Sequence, residues 1–231
     1  VDASTAHRVA EGWAYGLPEL CREQADIIRN SKRVANPGCY PTGGIALIRP
    51  LVEAGIMPAD YPVTVNAVSG YTGGGKAMIE AYEAGTAPPF EMYGLGLSHK
   101  HLPELQTYSR LSRRPIFVPS VGNFPKGMLV SVPLHLDTLN GAPSPEMLEE
   151  ALAAYYDGPG PISVIRAADD PTHKSGRISA DDLADTDKLE LRVYGNRAHG
   201  QAVLVARLDN LGKGASGAAV QNIRLMLGLT S

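Results

Sequence analysis

The chain reads as an α/β protein built on a mixed sheet, and three observations predict that class. Runs at 61–68, 116–121, 127–136 and 201–208 are strand-like, apolar residues recur at helical spacing after Cys39 and Ser144, and glycine-rich turns join strand to helix. With 231 residues, a net charge of -3, 44% hydrophobic and 19% charged residues, the composition is that of an ordinary globular protein without the basic excess of a nucleic-acid binder. No apolar run approaches the roughly 20 residues that cross a bilayer, so no membrane partner is expected. Two cysteines, Cys21 and Cys39, are too few for a disulfide framework. A cytoplasmic enzyme is the expectation.

Residues 1–35 read as the tail of an α/β unit, with a short buried strand ending at Ala35. Within it, Arg8 is a candidate anion holder, since a guanidinium grips a phosphate or carboxylate with parallel hydrogen bonds. A turn then presents Tyr15 and Glu19 near each other. The run Asn36-Pro37-Gly38-Cys39-Tyr40-Pro41-Thr42-Gly43-Gly44 follows, and its glycines and prolines force a tight turn at the start of an apolar helix. Cys39 therefore stands at a helix N-terminus, where free amides and the helix dipole favour thiolate. By residue type alone, such a cysteine is equally a small buried apolar residue.

The strand at 61–68 runs into Ser69-Gly70-Tyr71-Thr72-Gly73-Gly74-Gly75-Lys76, a loop whose amides can face an anion but which lacks Walker spacing. The segment from Tyr93 to Glu104 places His99 and His101 two residues apart, on one side of an extended chain, with Glu104 close behind. A zinc site lacks a third ligand at a recognisable spacing, so no metal is expected; a proton-transferring histidine serving Cys39 fits better.

Strands at 116–121 and 127–136 precede a helix over 144–156, with Ser144 as N-cap, Pro145 in the first position, and Met147, Leu148, Leu152 and Tyr155 on one face. Strands at 162–165 and 189–194 flank an acidic stretch, Asp181 to Asp187, read as a solvated loop. A last strand, 201–208, leads through the small-residue loop Asp209 to Gly217 into a closing helix.

Three separated stretches, NPGCYPTGG at 36–44, HKHLPE at 99–104 and DNLGKGASGAAVQN at 209–222, together resemble the N-acetyl-γ-glutamyl-phosphate reductase family, as do ASTAHRV and YGLPEL near the start. The resemblance implies an NADPH-dependent reduction of an acyl phosphate to a semialdehyde in arginine biosynthesis. Cys39 would be the nucleophile that forms a thioester and His99 the acid/base, with His101 the fallback. Arg8, Tyr15, Glu19, His101 and Glu104 would line the substrate side; Ser69, Gly70, Gly73, Gly214, Ser216, Gly217 and Asn222 would bind NADP(H).

It also implies a domain plan: 1–36 as the end of a Rossmann-type NADP-binding domain, 37–208 as an inserted catalytic and dimerisation domain, and 209–231 as a C-terminal helix returning to the first. A homodimer or homotetramer is expected. The alternatives are the related acyl-phosphate reductase of lysine biosynthesis and a non-catalytic oligomerisation module. The family's Gly-rich dinucleotide fingerprint, which would precede Val1, does not stand in these residues. The expectation is an N-terminal segment outside this sequence, so that titration of this chain with NADP(H) gives only weak binding; tight binding would contradict it.

Overall fold

A computed structural model describes residues 1–229. Its centre is a seven-stranded mixed sheet formed by β3 (Thr64–Gly70), β4 (Phe90–Met92), β5 (Ile116–Gly122), β6 (Met128–His135), β7 (Ile162–Val164), β8 (Leu189–Asn196) and β9 (Gln201–Leu208), in the order β4-β5-β3-β6-β9-β8-β7. β3 lies parallel to β5 and β7 to β8, while the remaining pairs are antiparallel. A separate two-stranded parallel sheet, β1 (Ala14–Tyr15) with β2 (Val34–Ala35), is joined by a parallel bridge from Asp2 to Ala35.

Alternation along the strands decides which face is covered. On β6, Met128, Val130, Val132 and Leu134 are buried, whereas Pro133 and His135 are exposed. The buried row meets α2 (Cys39–Glu53), a helix whose residues from Tyr40 to Leu51 are all buried. Glycines permit this close approach: a Cβ on Gly43 would lie 3.0 Å from a Val130 methyl and 3.2 Å from the Ala206 Cβ, and one on Gly44 2.7 Å from a Leu105 methyl of α4 (Leu102–Tyr108).

α5 (Pro145–Tyr155) begins as the sequence predicts, with Ser144 accepting a hydrogen bond from the Met147 amide. It buries Leu148 and Leu152, but Met147 is exposed, because the stripe facing the sheet is narrower than the periodicity suggests. The opposite face of the sheet presents Glu190, Arg192 and Arg207 in an ion-pair network with Asp170 and Asp182, and His173 of the short α6 (Pro171–Ser175) stacks on Tyr194. α1 (Gln24–Asn30) packs against the closing helix α7 (Gly217–Met226), beside the small parallel sheet.

Gly43→Val would force α2 off β6 and β9, with a loss of about 1–3 kcal/mol from overpacking. A urea midpoint equal to the parent's would contradict that packing.

Candidate active site

The parallel strands β3 and β5 end together at Gly70 and Gly122, and the N-terminus of α2 abuts that edge. A cavity of about 420 Å³ opens there, lined among others by Cys39, Ser69, Gly70, Gly73, His99, His101 and Gly214. The carboxyl ends of parallel strands, next to a helix N-terminus, are where α/β proteins place ligands.

Cys39 is the first residue of α2, after Gly38 in extended conformation. Gly38 has no room for a side chain, since a Cβ would sit 2.6 Å from His101 Nε2, 2.7 Å from Arg8 Nη1 and 2.8 Å from Glu104 Oε1. These three side chains form the floor of the turn. Buried Glu104 accepts from Arg8 Nη1 at 2.5 Å, from the Tyr15 hydroxyl at 2.8 Å and from the Gly38 amide at 3.0 Å. Arg8 in turn donates to the carbonyls of Asn36 (3.0 Å) and Ala3 (3.1 Å). Tyr15 and Glu104 thus act on the turn from behind, and neither lines the cavity. Burial pushes the Glu104 carboxyl up, against Arg8, the Gly38 amide and Tyr15, which all favour the carboxylate.

The thiol itself differs from expectation. The Tyr40 and Cys39 amides at the helix start do favour thiolate, but burial outweighs them and pushes Cys39 up to about 11. It is a protonated thiol at neutral pH.

The two histidines do converge, with ring centroids 4.7 Å apart, but not on an extended strand. They sit in the turn that opens α4, and the His101 amide donates to His99 Nδ1 at 3.1 Å. That bond leaves the proton of neutral His99 on Nε2, so the ring as it stands is a donor, and accepting a proton requires the Nδ1 contact to open. Burial and then Lys100 lower the pKa of His99. Burial, with His99 second, lowers His101 to about 2, which keeps it neutral; its Nδ1 is buried without a partner among the described residues.

Of the residues expected on the cofactor side, Ser69, Gly70, Gly73 and Gly214 line this cavity. Gly214 is indispensable by geometry, as a Cβ there would lie 2.9 Å from the Cys39 Cβ. Ser216, Gly217 and Asn222 do not reach it. Gly212–Ser216 forms a π-helical turn in which Ser216 Oγ folds back on the Leu211 carbonyl, Gly217 packs on Asp187, and Asn222 ties the Gly16 carbonyl (2.9 Å) to Asn36 Oδ1 (3.2 Å).

Glu19 is likewise elsewhere. The turn Pro18–Leu20 aims it at buried Lys213 (2.8 Å) and Gln221 (2.7 Å), beside a separate cavity of about 900 Å³. Residues not anticipated at the site include Asn210, whose Oδ1 accepts from the Gly127 amide and whose Nδ2 donates to Thr72 Oγ1, and Tyr93, which donates to the Tyr40 hydroxyl at 3.1 Å. Only their neighbours, a glycine-rich loop and a histidine pair, carried a signal.

Residues 39–210 match the family model described as semialdehyde dehydrogenase, dimerisation domain. N-acetyl-gamma-glutamyl-phosphate reductases of Brucella ovis and Brucella abortus are each 54% identical to the chain, over 99% of its length and 74% of their own. The chain belongs to the N-acetyl-γ-glutamyl-phosphate reductase family. Solved structures of aspartate semialdehyde dehydrogenases share the family's fold. That of Vibrio cholerae, the type II enzyme, superposes with a TM-score of 0.70 at 19% identity, covering 98% of this chain and 71% of that one. That of Francisella tularensis gives 0.68 at 13% identity, covering 96% and 73%. No described helix is long and apolar enough to cross a membrane.

With the thiol near 11, the rate at which iodoacetamide labels the Cys39 peptide rises about tenfold per pH unit from 7 to 9. A plateau reached below pH 8 would show a thiolate stabilised beyond what this burial allows.

Proposed function

We propose that this chain supplies the acyl-transfer site of an NADPH-dependent reductase that converts N-acetyl-γ-glutamyl phosphate to N-acetylglutamate semialdehyde, in arginine biosynthesis, through a thioester on Cys39. The single observation that carries the reading is the placement of Cys39 in the cavity, at a helix N-terminus and with His99 also on the wall. The names of the relatives, N-acetyl-gamma-glutamyl-phosphate reductases, support the substrate class.

Cys39 Sγ attacks the γ-carbonyl carbon as its proton passes to His99, whose Nδ1 contact opens to allow it. The C–S bond forms, the amides at the start of α2 and the histidine stabilise the oxygen that gains charge, and the C–O bond to phosphate breaks. A thiol that stays protonated until substrate arrives is protected from idle oxidation, and its high pKa makes it a strong nucleophile once ionised.

The cavity fits one end of the cofactor. Gly73, Gly74 and Gly75 line the same cavity as Cys39, with Met78 packed on Gly74 and Ser69 Oγ on Gly73, and a Cβ on Gly75 would meet nothing within 4 Å. Ser69, Gly70, Gly73 and Gly214 would hold the nicotinamide end, whereas nothing at Ser216, Gly217 or Asn222 reaches that space. When bound, NADPH supplies the hydride that reduces the thioester to the aldehyde. Cys39 then leaves as thiolate and regains its proton.

On the same reading, 1–36 and 209–231 belong with a nucleotide-binding unit: β1, β2, α1 and α7 pack together, apart from the large sheet that 37–208 builds. The face of that sheet bearing Ser131 and Val203 pairs with a second copy, giving a dimer or tetramer, in a compartment expected to be the cytoplasm.

Mixing the chain with the acyl phosphate and no nicotinamide should give a stoichiometric burst of phosphate and an acyl mass on the Cys39 peptide, both absent in Cys39→Ser. A burst that survives Cys39→Ser would overturn the nucleophile.

A further inference from the structure

We propose that Lys100 is the residue that selects anionic electrophiles for Cys39. The lining of the cavity at Cys39 includes two permanent cations, Arg8 and Lys100, and no aspartate or glutamate. Arg8 is already neutralised, since its guanidinium pairs with buried Glu104 and spends further donors on the Asn36 and Ala3 carbonyls.

Lys100 is different in kind. It forms no ion pair among the described residues, stands exposed between His99 and His101, and borders the same cavity as the thiol. Its ammonium is felt across that wall, because after burial it is what disfavours protonation of His99, and it adds to the larger effect of Arg8 on His101. A net positive mouth over a nucleophile raises the local concentration of anions and lowers that of cations. A compact ammonium on a flexible stem suits this work, since it can follow an anionic group in and release it.

The consequence rests, for its biological meaning, on the acyl-phosphate reading: such a substrate carries a phosphate and a carboxylate, and Lys100 is the cavity cation that has no carboxylate partner among the described residues. Lys100 would engage one of these anions during entry and in the bound state. Its loss would therefore raise KM and leave kcat near its parent value, whereas Lys100→Arg would preserve both.

The test that does not depend on turnover compares two alkylators of the same reactivity class, anionic iodoacetate and neutral iodoacetamide, at Cys39, read from the mass of the Cys39 peptide. A change in thiolate fraction affects both reagents alike and cancels in their ratio. Lys100→Gln should lower the iodoacetate-to-iodoacetamide ratio roughly threefold at low salt, Lys100→Arg should restore it, and added salt should erase the difference. An unchanged ratio in Lys100→Gln overturns the proposal whatever the enzyme turns over. The second arm uses the complete reductase with N-acetyl-γ-glutamyl phosphate. A higher KM in Lys100→Gln at unchanged kcat supports the assignment to substrate, and a fall in kcat at unchanged KM overturns it. If the alkylation ratio shifts while the parent reductase does not use this acyl phosphate, the anion-selecting lysine stands and the proposed reaction is what fails.

Discussion

The Glu104 carboxylate is the constraint on which the site depends. It lies beneath the Gly38-Cys39 turn and holds a guanidinium, a phenol and a backbone amide that come from three different parts of the chain. Without it the Tyr15 hydroxyl and the Gly38 amide would lose their acceptor and the Arg8 guanidinium its charge partner, and breaking one member of such a buried charged set typically costs about 3–5 kcal/mol. The turn needs this support because a backbone with glycine at 38 has no side chain of its own to fix it. The absence of a Cβ is also what lets His101, Arg8 and Glu104 close on the turn. Glu104 reaches its position because α4 docks on α2 through Leu105 and Gly44, so the packing of two helices sets the chemistry of one thiol.

The same architecture explains why the thiol is kept protonated. A helix N-terminus stabilises negative charge, but here that end is wrapped by the 36–38 turn, by Gly214 and by the rings of Tyr40 and its neighbours, and desolvation wins. Reactivity is conditional on the substrate and on a proton acceptor. On the proposed reading His99 is that acceptor: burial and Lys100 lower its pKa and keep it uncharged at neutral pH, while its Nδ1 accepts from the His101 amide at 3.1 Å.

Much of this was legible in the sequence, for reasons that differ by element. The strand at 127–136 is visible because burial on one face writes a period of two, whereas those at 116–121 and 201–208 read as short apolar runs because most of their residues are buried on both faces. The cap at Ser144 was visible because capping is local chemistry. The sequence around His99 reads as extended, yet the same two-residue spacing also brings rings together in the turn the structure has there, and nothing in residue type separates the two. Resemblance groups Glu19, Ser216, Gly217 and Asn222 with the site, but Glu19 and Asn222 are directed by contacts over more than 150 residues, with Lys213 and Gly16, which no local pattern encodes, while Ser216 turns back on the nearby Leu211 carbonyl and Gly217 packs on Asp187.

The most direct test of the central claim is the rate of Cys39 acylation by N-acetyl-γ-glutamyl phosphate in Glu104→Gln, followed by mass spectrometry, with thermal unfolding run alongside. Because the carboxylate is what sets the turn, acylation should slow by roughly tenfold or more while unfolding stays cooperative. Acylation at the parent rate in a folded Glu104→Gln protein would show that the thiol is positioned by something other than the buried carboxylate beneath it.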